Sequence, residues 1–309
     1  LQYICSNNIK NEVGAVTYTQ MLNSKGGIEA DLTVTCIDKN KFRIVTGSSV
    51  RNHDKKHILK YLDKSVDFKD ITDEFVCIGL FGPKSRNLIT KIFGDKFSNS
   101  SFKFGTGKYI ELNGIKMWFQ RISYVGELGW EIYIPIGKSK EIYKLIVELE
   151  NEFNLVHAGA HSMDIMRMEK GYLHWGHDIS PAENPLEAKL GFAVKLNKKE
   201  DFIGKDFLKN NKNLIKKILI MCTINDSKPG NPLVLHDEPI FLENKIVGET
   251  TSGNYSFCYD KNLVFGYVST KIDINKNHNK LEIEIAKKRY KLNLLKESLH
   301  DPLNMFTKT

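Results

Sequence analysis

"VGAVTYTQMLNSKGGIEADLTVTCIDKNKFRIVT", residues 13–46, reads as strand, turn, strand, turn, strand, with "NSKGG" (23–27) and "DKNK" (38–41) as the turns. In the middle segment Ile28, Ala30, Leu32 and Val34 alternate with Glu29, Asp31 and Thr33. That is the period of a strand with one face in a core. Three strands in a row without an intervening helix do not follow the regular βα alternation of a doubly wound sheet. The alternation also turns Asp31, a lone carboxylate near the start of its strand, away from the packed side.

Working outward, the pattern becomes mixed. "HDKKHILKYL" (53–62) reads as a helix, "DEFVCIGLFGPKS" (73–85) as a buried strand ending in a Gly-Pro loop, and "SRNLITKIFG" (85–94) as a helix closed by Gly94. "IKMWFQRISY" (115–124) leads through the loop "VGELG" (125–129) into the strand "WEIYIPI" (130–136), and helices follow over 138–153 and about 157–170. The stretch 197–213 is polar, rich in Asn and Lys, and reads as a domain boundary. Beyond it, short strands are separated by Gly, Pro, Asn and Asp turns, the spacing of a small β-barrel or sandwich. The fold class is α+β.

At 309 residues the chain is long enough for about two domains. Its hydrophobic content of 41% is that of a globular protein, and no apolar run approaches the ~20 residues that cross a bilayer. No membrane partner is expected. The net charge of +8 permits an acidic partner, but only six of the 45 basic residues are Arg and the Lys residues are scattered, as in Lys55-Lys56 and Lys287-Lys288. A nucleic-acid reader relies on Arg forks and clustered patches, so no nucleic-acid partner is expected. Cys5, Cys36, Cys77, Cys222 and Cys258 are odd in number, far apart and outside any CxxC pair. They read as buried thiols in a reducing cytoplasm. The opening "LQYICSNN" has neither an initiator Met nor a signal-peptide pattern, and reads as the start of a fragment.

Several chemistries lack their motifs. His53/His57 and His157/His161 are i,i+4 pairs and "HWGH" sets His174 three before His177, but no HExxH or supporting ligand set accompanies them. They read as surface and packing histidines, and no metal is expected. There is no GxSxG, and "GTGKY" (105–109) lacks the length of a phosphate loop and reads as a turn. A stronger signal is "RISYVGELGWEIYIP" (121–135), where Trp130, Ile132 and Ile134 form one strand face and Glu131 and Tyr133 the other. With Asp31 and Tyr124, Glu131 could line a pocket for a flat, hydrogen-bonding heterocycle. In the stretch 163–196, Arg167 and Asp164 are neighbours at helical spacing, Ile165, Met168 and Tyr172 form a core stripe, and Trp175 and Asp178 sit in a tight turn.

These segments carry a resemblance. "YTQMLNSKGGIEADLTV", "SYVGELGWEIYIP", "MDIMRMEKGYLHWGHDI", "NPLEAKLGFAVKL", "DFIGK" and "GETTSG" resemble, in order and spacing, the aminomethyltransferase (glycine-cleavage T-protein) superfamily over nearly the whole chain. "LQYICSNN", "GGIEADLTV" and "EKGYLHWGHD" are most similar to the tetrahydrofolate-binding C-terminal half of dimethylglycine and sarcosine dehydrogenases. Met163 stands where stand-alone T-proteins carry an Arg, a departure that suits the dehydrogenase branch.

The resemblance implies a three-lobed, T-protein-like folate-binding fold. Residues 1–208 would form the folate-binding domain, with two interleaved lobes and the family's first strands missing, and 209–309 a C-terminal small β-barrel. It implies tetrahydrofolate as cofactor, with FAD only in an N-terminal flavin dehydrogenase half of the same chain, and a small donor derived from a methylated amine. The reaction implied is one-carbon transfer from an iminium or aminomethyl donor, giving 5,10-methylenetetrahydrofolate. By position, Asp31 matches the catalytic carboxylate, Glu131 the pterin clamp and Tyr124 the pocket tyrosine, while Trp175 would close the pocket and Arg167 bind the glutamate tail. Alternatives are a stand-alone aminomethyltransferase, a folate-dependent demethylase and a non-catalytic folate-binding protein. Against the last stand Asp31, Glu131 and the absence of a "KGCYxGQ"-like stretch.

Overall fold

The computed structural model describes residues 1–211, 215–225 and 227–308. The opening stretch forms a three-stranded sheet in the order β1-β2-β3, with β1 Val16–Leu22, β2 Ile28–Asp38 and β3 Lys41–Val45. β2 is buried and half-buried in strict alternation from Ile28 to Thr33, as its pattern demands. The turn before it requires glycine: a Cβ on Gly27 would lie 2.0 Å from the carbonyl oxygen of Pro181.

After helix α1 (Arg51–Lys60) come β4 (Phe75–Phe81), α2 (Ser85–Phe93), β5 (Thr106–Leu112), β6 (Ile115–Arg121) and β7 (Gly129–Pro135). The four strands form an antiparallel sheet in the order β4-β7-β6-β5. One face carries Met117, Phe119, Trp130, Ile132 and Ile134 into a core shared with Leu88, Ile89 and Phe93 of α2. Ile142 and Ile146 of α3 (Ser139–Val147) complete that core. Burying each such side chain contributes about 1.5–3 kcal/mol.

Several local readings are corrected here. β4 is an edge strand, and only Leu80 of its seven residues is buried, because one of its two neighbours is solvent. Cys77 on it is exposed, as is Cys258, so the thiols are not uniformly buried. "GTGKY" lies mostly in β5 and is not a turn, since Gly107 pairs with Gln120 and the Trp118 ring fills the place of a Cβ on Gly107, 2.5 Å away. The helix read over 138–153 is divided into α3 and α4 (Glu150–Phe153), and α5 (Ala160–Lys170) begins later than the pattern suggested.

Within 197–213, α6 (Lys205–Asn210) buries Leu208, so the stretch is not a bare linker; its residues 212 and 213 lie outside the described residues. The final strands are β8 (Lys217–Ile224), β9 (Pro239–Leu242), β10 (Lys245–Ser256), β11 (Lys261–Ser269), β12 (Leu281–Ile285) and β13 (Lys288–Leu295). They close into a six-stranded barrel in the order β10-β11-β8-β13-β12-β9, which leaves no open sheet edge. Ile220, Cys222, Ile240, Ile283 and Leu292 belong to its core. The barrel expected from the spacing of turn residues is thus present.

The chain divides into two compact units, each discontinuous in sequence. One comprises Leu1–Asn8, Thr19–Asp31 and His161–Pro302; the other Ile9–Tyr18, Leu32–Ala160 and Leu303–Thr309. In the first, the ammonium of Lys198 donates to the carbonyls of Gln2, Cys5 and Asn7 at 2.6, 2.7 and 3.0 Å, tying down the opening segment.

Candidate functional site

Asp31 lies on β2, half-buried, where the alternation left it. Gln20 on β1 is fully buried and its Nε2 donates to Asp31 Oδ1 at 2.9 Å. Trp175 belongs to the turn that follows α5, where Gly171 and Gly176 take φ of +80° and +92°. Its indole Nε1 donates 3.0 Å to the carbonyl of Ile28, three residues before Asp31 on the same strand. The structure therefore brings Asp31 and Trp175 to one strand.

Arg167, in the same unit, is 1% exposed near the C-terminal end of α5. Its guanidinium donates to Asp164 Oδ1 at 2.8 Å, Asp178 Oδ2 at 2.5 Å, Ser252 Oγ at 2.8 Å and the Tyr172 carbonyl at 3.1 Å. Asp178 is fully buried, and also accepts from the His174 amide at 2.9 Å and Thr251 Oγ1 at 2.6 Å. A charge so deep in the protein is tolerated because every lobe of it is hydrogen-bonded. The group knots the end of α5 to barrel strand β10, whose register shifts between Thr250 and Ser252.

Tyr124 and Glu131 belong to the other unit. Tyr124 is half-buried in the loop between β6 and β7. Glu131 is half-buried on the sheet face opposite the apolar core, and Tyr133 Oη donates to its Oε2 at 2.5 Å. Desolvation raises the carboxyl pKa of Glu131 above its ordinary value, and the Tyr133 hydrogen bond draws it part of the way back. Burial and the adjacent negative charge push the Tyr133 phenol upward, so it stays a donor. The Arg43 guanidinium lies over the rings of Phe75, Trp118 and Tyr133 at 5.2, 5.6 and 5.3 Å.

Phe81 adds an aromatic wall on this face. Gly79 pairs with Glu131, and Phe81 with Gly129, so these residues share a sheet face with the carboxylate. The Phe81 ring occupies the space that a Cβ on Gly79 or Gly129 would need, 2.6 and 2.4 Å away. Sequence reasoning passed over Phe81 and Gln20, and treated Tyr133 only as the neighbour of Glu131. The available signals were a Gly two residues before Phe81 and a polar Gln20 beside the apolar Met21 and Leu22. Among the described residues, no group of three or more His, Cys, Asp or Glu side chains is placed to hold a metal ion. No helix among them is long and apolar enough to cross a membrane.

A mixed helix-and-sheet protein ending in a closed barrel, with a tyrosine-braced carboxylate beside an aromatic ring, is the class that fold and site define. The model of the GCVT N-terminal domain matches residues 1–198, and that of the glycine cleavage T-protein C-terminal barrel domain matches 217–301. The chain belongs to this folate-binding aminomethyltransferase (glycine-cleavage T-protein) family. It is 36% identical over 299 residues to human mitochondrial dimethylglycine dehydrogenase, covering 94% of this chain but 34% of that protein. Human mitochondrial sarcosine dehydrogenase is 29% identical, with 86% of this chain and 30% of the relative covered. An aminomethyltransferase of Natranaerobius thermophilus is 28% identical across 96% of this chain and 80% of its own length. The chain thus spans about a third of the dehydrogenase relatives it matches. The fold agrees with the crystal structure of glycine cleavage system aminomethyltransferase T from Bartonella henselae, at a TM-score of 0.83 and 21% identity, covering 98% of this chain and 81% of that one.

Proposed function

We propose that this chain is a tetrahydrofolate-dependent one-carbon transferase domain of the dimethylglycine/sarcosine dehydrogenase type. The observation that carries the reading is the 36% identity to human dimethylglycine dehydrogenase across 94% of the chain. Tetrahydrofolate supplies the nitrogens that accept the one-carbon unit from an iminium or aminomethyl donor, giving 5,10-methylenetetrahydrofolate. The chain's residues fit such a guest: Tyr133 occupies Oε2 of Glu131, while Oε1 has no hydrogen-bond partner among the described residues. A carboxylate with that free capacity accepts the paired N–H groups of a 2-amino-pyrimidinone edge.

In this reading Glu131 clamps the pterin, and Phe81 and Tyr124 supply flat walls. Asp31 holds a negative charge where the N10 proton must leave and where a cationic donor arrives. Trp175 shapes the β2 side through its bond to Ile28. Arg167, whose guanidinium already meets four partners, is assigned to holding the turn that bears Trp175, and a role on the glutamate tail would require displacing one of them. Residues 1–208 form the folate-binding part and 209–309 the barrel. A flavin-binding half with FAD would belong to the longer protein, and a reducing compartment such as the cytoplasm suits five free cysteines. A stand-alone aminomethyltransferase is the second reading, favoured by the 80% coverage of the bacterial relative.

The test is anaerobic calorimetric titration with tetrahydrofolate. The wild type binds, Glu131→Ala weakens binding by about 1.5–3 kcal/mol, and Asp31→Ala mainly lowers turnover. A wild-type chain without folate affinity would overturn the reading.

A further inference from the structure

Gln20 carries a contradiction that the fold alone does not explain. It is fully buried, donates from Nε2 to Asp31, and leaves Oε1 buried without a hydrogen-bond partner among the described residues. An empty buried acceptor is unfavourable, and an apolar side chain of the same length would avoid it. The orientation itself is dictated by Asp31: an ionised carboxylate only accepts, so the amide must present its nitrogen.

An amide is the side chain that serves a carboxyl in either protonation state. When the carboxyl holds a proton it becomes a donor, and the amide, turned about its last bond, presents Oε1 instead. One amide atom then meets Asp31 and the other stays buried, as before. A Lys in place of Gln20 would pin the carboxylate ionised, and a carboxylic acid would pin it protonated.

We propose that Gln20 is a positioning residue that holds the Asp31 carboxyl in one place while it gives and takes a proton. The proposal rests on the reading of Asp31 as the group that handles the N10 proton. The step balances within that reading: the N10 lone pair forms the new bond to the iminium carbon, the C=N π pair returns to the iminium nitrogen, and the N10–H bond breaks with its proton going to Asp31. Gln20 touches neither reacting partner.

The experiment compares wild type with Gln20→Met, which keeps the length, and Gln20→Leu, in case the thioether unsettles β1. Three readouts are taken: the infrared carboxylate stretch of Asp31, assigned by 13C-aspartate labelling and subtraction of Asp31→Asn; the tetrahydrofolate dissociation constant; and the rate of one-carbon transfer. The expected result is a shifted Asp31 band, folate affinity within about twofold, and a rate lower by about ten- to a hundredfold, the scale of a mispositioned catalytic group. Combining Gln20→Met with Asp31→Asn should be no slower than Asp31→Asn alone. If Asp31→Asn lowers the rate and both Gln20 variants leave band and rate unchanged, the Gln20 proposal alone is overturned. If Asp31→Asn leaves the rate intact, the reading of Asp31 fails and the proposal with it.

Discussion

Tyr133 and Glu131, two residues apart on β7, point the same way, and the phenol donates to the carboxylate at 2.5 Å. The bond fixes the carboxylate's plane and, in the proposed function, leaves its other oxygen for the pterin. Tyr133→Phe keeps the ring and removes only that donor. It should weaken tetrahydrofolate binding by about tenfold, the low end for a hydrogen bond to a charge. Calorimetry at neutral pH checks this, and unchanged affinity would detach Tyr133 from the site.

Glu131 should cost the fold stability at neutral pH. Its folded-state pKa is raised, so the folded protein holds this proton more tightly than the unfolded chain. As pH rises from the ordinary 4.5 through the raised value, stability falls. Glu131→Gln removes this loss, and should melt higher than wild type at pH 7 while the difference vanishes below pH ~4. Thermal unfolding across pH measures both; equal melting temperatures at pH 7 would refute the burden assigned to Glu131.

The pair Arg167–Asp178 is 1% and 0% exposed. Asp178→Ala removes the buried carboxylate and leaves the guanidinium to Asp164, Ser252 and the Tyr172 carbonyl, so it should lose about 1.5–3 kcal/mol, the range for a hydrogen bond to a charge. Arg167→Met combined with Asp178→Leu should recover much of that, because neither charge is then left without the other. Urea unfolding of the two single variants and the double variant gives the coupling directly. A double variant as unstable as the sum of the singles would show that the two side chains act independently.

The elements were legible wherever burial is one-sided. β2, β7 and the barrel strands announce themselves by alternation or regular turns, because one face meets a core. β4 misled, since an apolar run looks the same in a central strand and at a sheet edge. Gly107 misled because its reason for being glycine, the Trp118 ring, is eleven residues away. In the site, Asp31 and Glu131 stood out as carboxylates breaking a pattern. Gln20 and Phe81 did not, for their meaning lies in a cross-strand partner and in a space left by two glycines. Arg167 was legible as the neighbour of Asp164, but its bonds to Asp178 and Ser252 depend on tertiary structure.

The Lys198 ammonium gathers carbonyls that precede it by 191 to 196 residues. A ribosome adding ~5–20 residues per second therefore exposes the opening segment for roughly 10–40 s before its anchor exists. Ile4 and Cys5, buried in the finished protein, wait through that interval for the Lys198 anchor of their segment. Vectorial synthesis thus makes residues 2–7 among the last of this fold to settle, and a nascent-chain chaperone has a clear task at that segment.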